Sequence, residues 1–280
     1  MNIRWVVPGL LAAVLAAGCS TSAPEGNGTA PSVPGSASAP PSATPGRGPL
    51  AGRVVVLDPG HQLGNRAFGS EIGEPVDAGG FTKECNTTGT ATRDGFPEAT
   101  FTWLVALEAR RELERLGARV VLTRSANTDD AWGPCVDERG RLGNPGQPGP
   151  TADLRISIHA DGVLADGATG FHVIRPERLD GWTDDIAKPS RRLAVLLRDA
   201  LVRAGFAASS YRGREGIDVR GDLGTLNLSD VPAVMAELGN MRDPQEGALM
   251  ESRAGQRRYA RAIVAAARAY LGVSGPGRQG

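Results

Sequence analysis

The chain has 280 residues with 31 basic and 31 acidic side chains, so its formal charge is zero and nothing argues for nucleic acid as a partner. Hydrophobic residues make up 40% of it, enough for one α/β domain with a substantial core once the two ends are set aside.

Residues 1–18 carry one charge, Arg4, ahead of an apolar stretch from Trp5 to Ala17 that is too short and too Ala-rich for a stable membrane span. This segment reads as a signal peptide. The run Leu15-Ala16-Ala17-Gly18-Cys19 resembles a bacterial lipobox, which implies cleavage before Cys19 and lipidation of that thiol, with ordinary signal-peptidase cleavage as the alternative. Residues 19–50 are almost entirely Ser, Ala, Pro, Gly and Thr, with Glu25 and Arg47 the only charges, a composition that buries too little to offset the entropy of ordering. They are expected to form a disordered tether, followed by one folded domain at 51–273 and a flexible tail at 274–280.

Within the domain, Arg53 to Leu57 reads as a strand. Pro97 to Leu116 reads as a helix, because Phe101, Leu104, Val105, Leu113 and Leu116 fall on one stripe. Strands follow at Arg119 to Thr123, Leu154 to His159 and Gly170 to Arg175. A helix is expected from Arg191 to Ala204, a buried strand from Pro232 to Leu238 and a long Ala/Arg helix from Arg253 to Leu271. Strands alternating with helices predict an α/β fold, with a mixed, largely parallel central sheet covered by helices on both faces. Two long insertions, about 62–96 and 125–150, exceed ordinary connectors and are expected to frame a site.

Export changes how the cysteines are read. With Cys19 set aside, Cys85 and Cys135 remain as an even pair in an oxidising compartment, one in each insertion, and a disulfide is favoured over two exposed free thiols.

The chain has three histidines, and two of them close apolar runs: Val-Val-Val-Leu-Asp-Pro-Gly-His ends at His61, and Leu-Arg-Ile-Ser-Ile-His-Ala-Asp surrounds His159. Ligand sites of open α/β sheets lie beyond the strand ends, so both imidazoles could converge on one metal ion. Glu98, just after Pro97, is expected in the first turn of a helix. It could merely complement the helix dipole there, but His, Glu and His would also form a zinc set with a fourth position open to water. Glu237 ends the apolar run Val-Pro-Ala-Val-Met-Ala-Glu and could face solvent, or could accept and deliver a proton beside a metal-activated water. His172, in a strand, is expected to be structural. Ser157 has no His-to-Asp relay suggested around it and is not expected to be a nucleophile.

Four blocks in order, Leu57-Asp58-Pro59-Gly60-His61, Pro97-Glu98-Ala99, Ser157-Ile158-His159-Ala160-Asp161 and Pro232-Ala233-Val234-Met235-Ala236-Glu237-Leu238-Gly239, resemble zinc-dependent N-acetylmuramoyl-L-alanine amidases of the amidase-3 type. The resemblance covers Arg53 to about Leu271. It implies one Zn2+ per chain on His61, Glu98 and His159, with Glu237 as general base and acid. It further implies hydrolysis of the bond between the lactyl group of muramic acid and the first alanine of the stem peptide. The chain departs from the family pattern after Glu237: many relatives have Gly-Phe and then Ser-Asn, where this chain has Leu238-Gly239-Asn240-Met241-Arg242-Asp243. That change bears on substrate subsites more than on the reaction. The expected partners are peptidoglycan and, through Cys19, the membrane, for a monomeric protein of the cell envelope. A zinc peptidase cutting within stem peptides, and a non-catalytic wall-binding lipoprotein on the same fold, are the competing readings.

Overall fold

The computed structural model describes residues 47–272; the signal peptide, Cys19, the tether up to residue 46 and the tail at 274–280 lie outside the described residues. Strand β1 (Val54–Pro59) leads into the Gly60-His61 turn. A 3-10 turn (Leu63–Ala67), helix α1 (Gly69–Gly73) and a hairpin of β2 (Pro75–Asp77) and β3 (Thr82–Glu84) occupy the first insertion. Then come α2 (Glu98–Arg115), β4 (Arg119–Leu122) and α3 (Val136–Arg141), the last lying in the second insertion. The remainder is β5 (Leu154–Asp161), β6 (His172–Pro176), α4 (Ala187–Arg203), β7 (Ile217–Arg220), α5 (Gly224–Asn227), β8 (Ala233–Asn240), α6 (Pro244–Glu251) and α7 (Arg253–Tyr270).

Six strands form one sheet in the order β4-β1-β5-β8-β6-β7. Every neighbouring pair is parallel except β8 with β6, so the sheet is mixed and largely parallel, as expected. The strand alternation separates two unlike faces. Val55, Leu57, Ile156, Ile158, Val234 and Ala236 point to one face and pack against Phe101 and Val105 of α2, Leu193 and Leu197 of α4, and Tyr259 and Ile263 of α7. Each Val, Leu, Ile or Phe among them contributes about 1.5–3 kcal/mol by leaving water, which makes this layer the core. The intervening positions, Asp58, Arg155, Ser157, His159 and Glu237, share the other face, where short α3 and α5 form a thinner layer.

Three differences from expectation have local causes. Leu50, assigned to the tether, is fully buried and its amide donates to Leu116 O at 2.8 Å, so the folded body already includes it. Helix α4 begins at Ala187 rather than Arg191, because Pro189 sits in its first turn, where a missing N–H costs nothing. β7 was not anticipated: it is a four-residue edge strand with Val219 43% exposed, which leaves little apolar pattern to read. Among the described residues no helix is long and apolar enough to cross a membrane.

Candidate active site

The parallel strands β1, β5 and β8 end together, and a cavity of about 460 Å³ opens there. His61, Glu98, His159 and Glu237 all line it. Each arrives from a different element, which explains why no single stretch of sequence contains the site.

His61 occupies a left-handed backbone conformation, φ 57°, unusual for a residue other than glycine. Arg139 from α3 holds that turn: its guanidinium donates to His61 O at 2.7 Å, Pro59 O at 2.8 Å and Asp58 Oδ1 at 2.6 Å. Gly60 is needed for a second reason, since a Cβ there would lie 2.3 Å from the His159 ring. Glu98 is the first residue of α2, after Pro97 in extended conformation as N-cap. Its Oε2 accepts from Thr90 N at 2.9 Å and its Oε1 from Ala160 N at 3.1 Å. His159 lies on β5, directly across the ladder from Glu237 on β8, and a bulge follows at once, before Asp161 pairs with Asn240. Bulges re-aim side chains next to active sites.

The ligand atoms of His61, Glu98 and His159 lie within 4.8 Å of one another. Glu98 Oε1 is 3.1 Å from His61 Nε2 and 3.0 Å from His159 Nδ1. His61 Nδ1 is 3.0 Å from Thr87 O, a contact that requires a proton on Nδ1, so that loss of the second ring proton frees Nε2 as a donor of electrons. Two imidazoles and one carboxylate therefore converge with spare lone pairs, a donor set suited to a divalent ion with an open position. Burial pushes the Glu98 carboxyl up, but the His61 charge and hydrogen bonds from both imidazoles pull it well below the usual range. Burial likewise opposes protonation of His61, and the Glu98 carboxylate outweighs it.

Glu237 behaves in the opposite way. Burial raises its carboxyl well above the ordinary carboxylate range, and the negative charges of Asp161 and Glu98 add to the effect. Its Oε2 is shielded from solvent and has no hydrogen-bond partner. His172, on β6, is in register with Glu237 but does not join the ligand cluster; its Nδ1 is 3.6 Å from Asp161 Oδ2, and Tyr211 donates to that oxygen at 2.7 Å. Ser157 is buried and donates to Asp58 Oδ2 at 2.5 Å, a contact that spends its hydroxyl beneath the site.

Sequence reasoning missed Arg139 and the buried network around it. Arg155, fully buried on β5, donates to the carbonyls of Arg139, Gly140 and Leu142 and so caps the C-terminus of α3. Cys85 and Cys135 are joined by a disulfide with a Cα separation of 4.3 Å, at the other end of the same short helix. The one available signal was Asp58, an acid inside an apolar strand that needed a buried cation.

Residues 55–269 match the Amidase_3 family, described as N-acetylmuramoyl-L-alanine amidase. The chain is 42% identical to the N-acetylmuramoyl-L-alanine amidase Rv3717 of Mycobacterium tuberculosis over 85% of this chain and 93% of that one. The crystal structure of the amidase Ami1 from Mycobacterium smegmatis superposes with a TM-score of 0.72 at 40% identity, covering 80% of this chain and 99% of Ami1. The apo form of Ami1 from Mycobacterium abscessus matches with the same TM-score at 42% identity, over 79% of this chain and 100% of its own. With a family match across almost the whole folded body and close relatives that agree with it, the chain belongs to the Amidase_3 family of N-acetylmuramoyl-L-alanine amidases.

Proposed function

We propose that this protein is a peptidoglycan hydrolase that cleaves the amide between the lactyl group of N-acetylmuramic acid and the L-alanine of the stem peptide. His61, Glu98 and His159 hold one zinc ion, and Glu237 moves the proton. The observation that carries this reading is the approach of Glu98 Oε1 to both imidazoles, at 3.1 and 3.0 Å, inside a cavity that Glu237 also lines. Zinc in such a donor set supplies Lewis acidity, which makes water nucleophilic near neutral pH and polarises a carbonyl.

The protein's own groups do the rest. Thr87 fixes the His61 tautomer, and the amides of Thr90 and Ala160 orient the Glu98 carboxylate. A carboxyl raised by burial, as Glu237 is, retains a proton long enough to pass it on. Glu237 takes that proton from the attacking water and delivers it to the alanine nitrogen as the C–N bond breaks, leaving a lactyl carboxylate and a free α-amine.

Glu237→Gln tests the division of labour. It should retain zinc, measured by metal analysis, and lose turnover by about 10²–10⁴-fold. Near wild-type hydrolysis would overturn the assignment. Mass spectrometry of digested peptidoglycan should find free stem peptides and intact glycans; internally cut peptides would instead support a zinc peptidase. We further propose export and anchoring through a lipidated Cys19, which predicts detergent-phase partitioning of the mature protein that Cys19→Ala abolishes.

A further inference from the structure

Beside the cleft lies a second, smaller pocket of about 180 Å³. Thr90 and Gly162 line the cleft and are in close contact, and the chain continuing from each of them, to Arg93 and to Val163, lines this neighbour. Arg242 and Asn240 complete it from the end of β8. We propose that this pocket binds a free carboxylate of the stem peptide through Arg93 and Arg242, an inference that rests on the amidase reading above.

Three observations carry it. First, the two guanidiniums are largely unspent. Each has five N–H donors, and the contacts they make are Arg93 Nε to Arg242 O at 2.7 Å and Arg242 Nη1 to Thr92 O at 3.4 Å. Arg242 Nε is shielded from solvent and has no acceptor, a state in which buried donors are rarely left. Neither arginine forms an ion pair among the described residues. Asp166 and Asp243 also line the pocket, but Asp243 Oδ1 is engaged as the N-cap of α6, accepting from Gln245 N and Glu246 N.

Second, the site is built rather than incidental. Asn240 is 2% exposed; its amide group donates to Val163 O and Ala168 O, and its Oδ1 accepts from Val163 N and Arg242 N. One buried side chain thus fixes both the 163–168 loop and the backbone of Arg242, so the pocket is preorganised before a ligand arrives.

Third, the cleft and the pocket differ in whether their cationic side chains are already engaged. Of the cationic side chains that line the cleft, Arg139 is paired with Asp58 and Lys83 donates to Asp222 O at 3.0 Å, whereas Arg93 and Arg242 in the pocket have no ion-pair partner among the described residues. A planar guanidinium matches a carboxylate geometrically. Arg242 also lies in the segment where the chain departs from the family pattern, consistent with a specificity role.

The test uses two stem tripeptides, one with free carboxylates and one with them converted to carboxamides. Each is titrated calorimetrically into the full chain and into Arg93→Ala, Arg242→Gln and Arg242→Lys. The wild type should bind the carboxylate form about tenfold more tightly than the carboxamide, and both neutral variants should lose that preference while Arg242→Lys keeps part of it. Equal affinity of the wild type for both peptides, or a preference that survives in both neutral variants, would overturn the proposal. Arg242→Gln preserves the backbone carbonyl that Arg93 uses, so it remains informative if Arg93→Ala folds poorly. Failure of the amidase reading would appear separately, in the products of digested peptidoglycan.

Discussion

The two faces of the central sheet are built from alternate residues of the same strands and do different work. Along β5, Leu154, Ile156 and Ile158 enter the apolar layer under α2, α4 and α7, whereas Arg155, Ser157 and His159 point the other way. The apolar face is held by area and shape. The polar face is held by hydrogen bonds that saturate its carboxylate: Asp58 receives Arg139, Ser157 and Thr123, and Arg155 is bonded through both terminal nitrogens to the end of α3, with only its Nε left without a partner. One turn of chain further on, at His61 and His159, saturation stops and lone pairs remain. A buried polar group with every partner in place serves structure, and one left with capacity to spare serves a ligand.

The largest way to break this contrast is at the unsaturated end. His61→Ala or His159→Ala should lose metal and activity together while the fold persists, because neither imidazole contributes to the apolar layer. Full zinc occupancy in both variants, with unchanged turnover, would sink the ligand assignment.

A paired substitution sharpens the comparison. Phe101→Ala empties a fully buried position on the apolar face and should cost about 3–5 kcal/mol by chemical denaturation. Arg139→Ala should cost a similar 3–5 kcal/mol, since it leaves Asp58 buried without its cation. The two should differ in zinc affinity, which falls for Arg139→Ala as the His61 turn is released and stays near wild type for Phe101→Ala. Equal metal affinity in the two variants would mean that Arg139 does not position His61.

Smaller effects follow. The disulfide closes a span of 50 residues, so Cys85→Ser with Cys135→Ser should destabilise by about 3–4 kcal/mol in the chain-entropy model, visible as a lower melting temperature. A melting temperature unchanged by the double substitution would show that the two insertions hold each other without the bond.

The smallest effect is an acid limb. Burial pushes the Asp58 carboxyl up, but Arg139 and the hydroxyls of Ser157 and Thr123 hold it well below the usual carboxylate range. A folded-state pKa below the unfolded value of about 3.9 means that this stabilisation is complete above that pH and is lost as pH falls through the folded value. Asp58→Asn should flatten the decline of melting temperature below pH 4; an unchanged slope would assign that decline to other carboxylates.

Much of this was legible in the sequence. The helical stripe of α2 and the run ending at His61 predicted their elements to within a few residues, because each carries a long periodic signal. His61, Glu98, His159 and Glu237 were expected at one site and they line one cavity; a buried strand end rarely carries such a group without cause, whereas Glu98, ordinary in a first helical turn, was singled out by the two histidines. β7 and the β2–β3 hairpin were not, since three or four half-exposed residues hold no period. Arg139 was illegible for another reason: its partner Asp58 is 81 residues away, and a surface-like Asp-Glu-Arg-Gly-Arg run gives no sign that one arginine turns inward.

Leu50 carries one more implication. It is anchored beside Leu116, just past the C-terminal end of α2, while Glu98 begins that helix beside His61 and His159. Eighteen residues at 1.5 Å each make α2 a strut of about 27 Å between the point where the chain enters the body and the cleft. A pull on the chain ahead of Leu50 is therefore met first where Leu50 and Leu116 are joined, at the end of α2 away from the cleft, and β1 is the element that connects that point to His61.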